Sequence, residues 1–314
     1  MNDKVKAAAL SIGSNTVLTV GKLAVGLSIN SVSVISEAFH SGLDLAAAII
    51  AFAAVRKSSK PADERHNYGH GKVENLSSII EALMIVAAGV LIILNALPRL
   101  KGGGEIHGLG LGAAVMAVSA AVNILVSRKL LKVARETDSP ALAADGWHLL
   151  TDVYTSLGVF VGLGLIYLTG YTIIDPIIAL LVALLILKAA YDLIRDSMRS
   201  ILDFGLPKGE ESVILSVLKK YSGEFVEFHK LRTRKSGSDR YVDLHLVVPK
   251  DKHIETVHSL CDRIEEDMRM SLSGIHVLIH TEPCGGLCEE LEGRDERNIL
   301  EKCPECERRD MKDR

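Results

Sequence analysis

Two short runs of this 314-residue sequence carry side chains that chelate metal ions. One reads Ser36-Glu37-Ala38-Phe39-His40-Ser41-Gly42-Leu43-Asp44 and the other Asp145-Gly146-Trp147-His148-Leu149-Leu150-Thr151-Asp152. Each contains His-x-x-x-Asp, and on an α-helix residues i and i+4 share a face one turn apart. Each run therefore presents an imidazole nitrogen and a carboxylate to the same side. Two such helices packed face to face would offer His40, Asp44, His148 and Asp152, two nitrogens and two oxygens, a set that suits tetrahedral Zn²⁺. The plainer alternative for one pair is a hydrogen-bonded contact between helices; two matching pairs in separate apolar segments argue for an ion. A third group, Asp63, His66 and His70, lies in a charged stretch and is either a three-ligand site with one open position or a solvated loop.

The elements that must hold these residues are apolar. Residues of type AVILMFWYC make up 48% of the chain and charged residues 24%, with net charge −3, but the two kinds are segregated. From Ala7 to Val55 the charged side chains are Lys22, Glu37 and Asp44, whereas the chain from Pro207 onward is densely polar. A hydrocarbon core of about 30 Å needs roughly 20 helical residues. Six segments qualify: Ala7–Leu27, Val32–Val55, Leu76–Leu97, Leu109–Leu131, Ala141–Leu168 and Ile173–Ile194. The first is too long for the apolar core of a cleaved signal peptide and more spans follow it. Ionisable groups at a span's centre cost about 2.5–3.5 kcal/mol each on insertion scales and usually mark an ion or proton path. Small neighbours (Ser41, Gly42, Gly146, Ser156, Gly158) would let helices approach closely. Asp175-Pro176 starts the sixth span, Asp as a cap and Pro in the first turn. Lys188 reads as a snorkelling residue; Lys22 and Glu81 have no evident role, and His107 reads as surface.

Basic residues cluster in alternate connections: Lys4 and Lys6 before the first span, Arg56, Lys57, Lys60, Arg65 and Lys72 after the second, Arg128, Lys129, Lys132 and Arg135 at the end of the fourth. This places both termini in the cytoplasm. The slightly negative net charge and the lack of a basic face interleaved with aromatics exclude a nucleic-acid partner.

With these motifs the sequence resembles the cation diffusion facilitators over roughly residues 5–283. Ser36-Glu37-Ala38-x-His40-Ser41-x-x-Asp44 with Asp145-x-Trp147-His148-x-x-x-Asp152 carries the resemblance. It implies six spans, a cytoplasmic C-terminal domain, and export of a divalent metal from the cytoplasm by a proton-antiporting homodimer in the cell (inner) membrane. It also makes His40, Asp44, His148 and Asp152 the transport ligands. A His-Asp/His-Asp quartet is similar to that of zinc-preferring members; Cd²⁺, Fe²⁺, Mn²⁺ or Co²⁺ is the alternative cargo. Family members carry a zinc-binding Asp-x-x-His-x-x-x-His pattern where Asp63, His66 and His70 stand. The resemblance thus makes zinc both cargo and a regulatory or structural ligand. Coupling has a physical basis: neutral imidazole and ionised carboxylate bind metal, and their protonated forms do not.

The expected fold class is an α-helical membrane protein with six transmembrane helices plus a cytoplasmic α+β domain. Residues 1–202 form the membrane domain, 203–208 a linker, 209–283 the cytoplasmic domain and 284–314 a charged tail. Within the cytoplasmic domain Glu210–Tyr221 and Ile254–Met270 read as helices. Glu224–Lys235, Arg240–Val248 and Ile275–His280 read as strands, with a turn at Ser236-Gly237-Ser238-Asp239. This αββαβ order is similar to the family's metallochaperone-like domain. His229, His245, His258, His280 and Glu282 match positions where related exporters bind zinc at the dimer interface. Beyond them Cys284, Cys288, Cys303 and Cys306 form either a four-thiolate zinc site or an incidental set in a disordered appendage. An intramembrane enzyme is disfavoured, because His-Glu-x-x-His is absent and four protein ligands leave no open coordination position. A non-transporting zinc sensor is a further alternative, although no signalling segment is present.

Overall fold

Long runs of Ala, Leu, Ile and Val with proline confined to their ends have no interior reason to stop a helix, and six of them form here. The computed structural model describes residues 3–28, 32–100, 111–169, 171 and 173–284. The helices are α1 Asp3–Ser28, α2 Val32–Ser58, α3 Lys72–Arg99, α4 Leu111–Thr137, α5 Pro140–Thr169 and α6 Ile174–Ile201. At 26 to 30 residues each is about 39–45 Å long, more than a hydrocarbon core requires. By length and composition alone Asp3–Val25, Lys72–Pro98 and Pro176–Ile201 are apolar enough to cross a membrane. The ionisable pairs sit on α2 and α5, and the basic stretch after the fourth span is the last part of α4.

The chain divides into two compact units, Met1–Ile201 and Leu202–Arg314. In the first, α5 packs against each of the other five helices, α1 against α2 and α4, and α3 against α2 and α6. Its interior is lined with small residues (Ala47, Ala51, Ala82, Ala144, Ala183, Ala190), while Val17, Leu43, Leu83, Leu94, Leu125 and Leu181 are exposed. This distribution fits a bundle whose outer solvent is lipid, where close backbone approach replaces hydrophobic burial between helices. Gly146 is such an approach: a Cβ there would lie 2.9 Å from the Leu131 side chain of α4. Gly158 meets Val182 in the same way, but Gly42, expected to do likewise, has nothing within 4 Å.

The second unit follows the expected order: α7 Lys208–Lys220, β1 Glu227–Ser236, β2 Asp239–Val248, α8 Ile254–Ser271 and β3 Ile275–Pro283. The strands form one sheet in the order β1-β2-β3, with β1 antiparallel and β3 parallel to β2. The β1–β2 turn uses Gly237 at φ +61°, a left-handed conformation glycine adopts without a Cβ clash. Strand alternation sends Val242, Leu244, Leu246, Val248 and Ile275 into a core with Ile214 and Leu218 of α7 and Leu260, Ile264 and Met268 of α8. The helices therefore cover one face of the sheet, and the alternate residues of each strand occupy the other. The segment after Cys284 is outside the described residues.

Candidate metal centres

In the membrane unit α2 and α5 are neighbours and bring the four expected ligands together. His148 Nε2 lies 3.1 Å from Asp44 Oδ1, and His40 Nε2 lies 3.6 Å from Asp152 Oδ1. Each histidine thus faces the aspartate of the other helix. Donor atoms of His40, Asp44 and Asp152 all lie within 4.8 Å of one another. Four donors about 2.0–2.1 Å from one tetrahedral ion would sit about 3.3 Å apart, so both cross-helix distances are of the right size for a shared cation. Asp44 and His148 are buried, whereas the His40 side chain is half exposed. His148 Nδ1 and Asp152 Oδ2 are buried without a hydrogen-bond partner among the described residues.

Three buried charged residues around this site have places that composition could not assign. Lys22 of α1 donates to Ser41 Oγ at 2.7 Å, beside His40, which gives the unexplained lysine a polar partner inside the bundle. Glu81 accepts from Ser77 Oγ at 3.0 Å and is wholly buried. Asp145, quoted within the second motif but given no role there, is equally buried. At another end of the bundle Glu74 of α3 accepts from Lys4 Nζ of α1 at 3.2 Å and from Ser58 Oγ, the last residue of α2, at 2.5 Å. Its second oxygen accepts from Ser139 Oγ, the residue before α5. One carboxylate thereby joins four helices. An acid in a first helical turn normally reads as a macrodipole complement, so the sequence held no distinct signal for Glu74.

The loop before α3 gathers Asp63, His66 and His70. His66 Nδ1 lies 3.0 Å from Asp63 Oδ1, and His70 Nε2 lies 3.3 Å from Asp63 Oδ2. The backbone N–H of His66, aided by that of Arg65 and by the His66 ring, holds the Asp63 carboxyl below its usual range against partial burial. His70 is buried with neither ring nitrogen hydrogen-bonded among the described residues, as a ring kept for a cation would be. Three donors on a surface loop could hold a divalent ion with a position left for water.

Strand register builds the third group. His229, His245 and His280 stand side by side across β1, β2 and β3 on the face not covered by helices. Glu282, two residues beyond His280, reaches back to them: its Oε1 lies 2.7 Å from His245 Nδ1 and 3.7 Å from His280 Nε2, and its Oε2 lies 3.6 Å from His229 Nε2. Burial pushes the Glu282 carboxyl up, but the His245 hydrogen bond and the nearby charges of His229, His245 and Lys230 outweigh it and leave it lowered. His229, His245 and Glu282 have donor atoms within 4.8 Å of one another. Glu227, buried and 3.4 Å from His229 Nδ1, belongs to the same face and was missed; its i, i+2 spacing from His229 was the available signal. His258, expected in this group, stands elsewhere within the protomer. It is exposed on α8, 3.7 Å from Asp262, because α8 turns Val257, Leu260 and Cys261 toward the opposite side of the sheet.

Of the tail cysteines, Cys284 is buried against Val226 and Val247 and is disulfide-bonded. A sulfur in a disulfide offers no thiolate, so in this form Cys284 does not serve the expected four-thiolate set; Cys288, Cys303 and Cys306 lie outside the described residues. Cys261 is a buried free thiol. Burial, with the charges of Glu265 and Asp262, pushes it up to about 11, which makes it a packing residue rather than a ligand.

The chain matches two family models, cation efflux transmembrane domain over residues 8–202 and cation efflux protein, cytoplasmic domain (ZT_dimer) over residues 206–284. It is 36% identical over 277 residues to the uncharacterized transporter sll1263 of Synechocystis sp., covering 88% of this chain and 89% of that protein. It is 31% identical over 291 residues to the cation-efflux pump FieF of Serratia proteamaculans, covering 92% and 96%. A solved chain of CzrB is 36% identical and covers 26% of this chain and 100% of its own, with a TM-score of 0.25.

Proposed function

We infer that this chain, which belongs to the cation diffusion facilitator family of cation-efflux proteins, exports Zn²⁺ from the cytoplasm in exchange for protons. The observation that carries the reading is the crossed arrangement of His40 with Asp152 and His148 with Asp44 on two packed membrane helices. A hard or large cation would be better served by oxygen donors alone; two imidazoles and two carboxylates suit zinc. Cd²⁺, Fe²⁺, Mn²⁺ or Co²⁺ remains the alternative cargo, since imidazole accepts several of these.

Cargo entering from the cytoplasm replaces the His148–Asp44 hydrogen bond with bonds to the ion and sheds protons from the imidazoles. Once the bundle opens to the far side, protons arriving there compete for the same lone pairs and release the cargo. Alternating access then requires the helices to rock around a fixed set of ligands. In this reading both termini face the cytoplasm and the protein lies in the inner membrane. The Asp63, His66 and His70 group gathers or holds accessory zinc. The His229, His245, His280 and Glu282 face binds regulatory zinc in a homodimer, with His258 available to a bridge between protomers. Metal bound there biases transport only if it prefers one state of the transporter.

The test is zinc-dependent proton flux in liposomes with the intact protein, Asp44→Ala and Asp152→Ala. Flux in the intact protein that disappears in both variants is expected. Undiminished flux in both would return the two pairs to structural duty. Zinc binding without flux in any of them would favour a sensor or another cargo.

A further inference from the structure

On the face of the cytoplasmic sheet not covered by helices, the strand register sets out two rows of side chains. His229, His245 and His280 make one row across β1, β2 and β3, and Glu227, Val247 and Glu282 make the next. The two acids of the second row reach the same ring from different sides. Glu282 runs to the imidazoles, with its Oε2 3.6 Å from His229 Nε2. Glu227 meets the other nitrogen, with its Oε1 3.4 Å from His229 Nδ1. The Glu227 side chain is only 3% exposed, against 23% for Glu282. Its row neighbour Val247 is buried with Val226 and Cys284. A carboxylate leaves water only where its surroundings offset the desolvation, and nothing in the export reading uses this one.

The backbone of β1 is shaped around this contact. Strand alternation puts Glu227 and His229, two residues apart, on one face. Directly after His229 the strand bulges: Lys230 takes φ +51°, and the pairing with β2 slips between His229 and Arg232. A left-handed φ at a residue with a Cβ is strained, and bulges re-aim side chains next to functional sites. Here the extra residue lets Leu231 pack against the helix-covered core, while Glu227 and His229 keep their places opposite Val247 and His245.

We propose that Glu227 is a positioning residue for the metal site of this face: its carboxylate accepts the Nδ1–H of His229 and so aims the Nε2 lone pair at the cation that His229 shares with His245 and Glu282. The inference rests on the reading of this face as a zinc site. Neutral imidazole has one N–H and one lone pair, and the partner of one nitrogen decides which nitrogen is left to ligate. With Nδ1 held by Glu227, Nε2 is bare on the edge that faces Glu282. At 3.4 Å the contact is long for a hydrogen bond. Ligation at Nε2 draws electron density from the ring and makes Nδ1–H a stronger donor, so the bond shortens as the site fills. Carboxylates behind ligating histidines raise metal affinity, and their loss typically costs about 10–100-fold. Glu227 is not itself a ligand, because it faces the nitrogen turned from Glu282. No proton is gained or lost, so the role is orientation at constant charge.

Nitrogen NMR of the full-length protein in detergent, with ¹⁵N-labelled histidine at about pH 8 where imidazole is neutral, tests the role without needing transport. His229→Gln identifies the His229 resonances, which answer to their own site whatever the membrane and loop groups bind. In the metal-free wild type the proton is expected on His229 Nδ1, and added Zn²⁺ should shift the Nε2 resonance. Glu227→Leu should return the ring to the Nε2–H form and raise the Zn²⁺ concentration at half-shift about 10–100-fold. A carboxylate that only fills space would leave the tautomer of Glu227→Leu unchanged. Glu227→Gln keeps an acceptor oxygen and should hold the Nδ1–H form with a smaller loss of affinity. If Glu227→Leu fails to fold, the wild-type tautomer and Glu227→Gln decide. Nε2–H in the metal-free wild type, or an unchanged tautomer or half-shift concentration in Glu227→Leu, would overturn the proposal. Wild-type His229 resonances that saturating Zn²⁺ does not move would instead sink the zinc reading of the face, and the positioning role with it.

Discussion

His40 faces Asp152 and His148 faces Asp44, so the i, i+4 spacing aligns each ligand with its own helix while packing pairs it across helices. Glu74 is a different kind of buried charge. It joins Lys4, Ser58 and Ser139 and serves no ligand group. Removing one partner of a buried ion pair strands the other. Glu74→Ala should therefore lower stability by about 3 kcal/mol, read as a drop in thermal unfolding of the purified protein. The double substitution Lys4→Met with Glu74→Leu should recover much of that loss. A Glu74→Ala protein as stable as the wild type would show that the four-helix junction is incidental.

Gly146 shows how an element's packing sets the site. It sits between Asp145 and His148 on α5, where a Cβ would come within 2.9 Å of Leu131 Cγ and Cδ2 on α4. Gly146→Val should push α5 off α4, at a cost of about 1–3 kcal/mol, and weaken zinc binding by displacing His148. Combining it with Leu131→Ala should restore affinity, measured by zinc titration; failure of that rescue would mean that backbone conformation, not the α4 contact, fixes the ligand. The sheet illustrates the complementary case. Strand alternation alone predicts that His229 and His245 leave the core face, but only the register aligns them with His280 and brings Glu282 to their donors. His258 fell outside because helix α8 spends its apolar face on the opposite side of the sheet.

The two units of the whole molecule answer to different solvents, and acid should separate them. In the cytoplasmic unit hydrogen bonds from Lys220 and Tyr221 hold Asp267 below its usual range, and the Arg263 hydrogen bond does the same for Glu224 against slight burial. A lowered folded value stabilises the native form above the unfolded carboxylate range and loses that contribution as pH falls through the folded value. The cytoplasmic unit should thus lose stability as pH drops below about 4. Asp267→Asn should flatten that acid limb in pH-dependent unfolding, and an unchanged limb would assign acid sensitivity elsewhere. The order of six apolar helices followed by αββαβ was readable before any coordinates, because lipid solvent and strand alternation leave strong periodic signals in residue type. The His and Asp residues of α2 and α5 proposed as cargo ligands were conspicuous too, since ionisable side chains in apolar runs are costly. What tertiary structure decided was pairing: which histidine meets which aspartate, Lys22 against Ser41, Glu74 as a junction, Glu282 against His245. Those contacts join residues far apart in the chain, and a one-dimensional pattern records which face a side chain takes but not what stands opposite it.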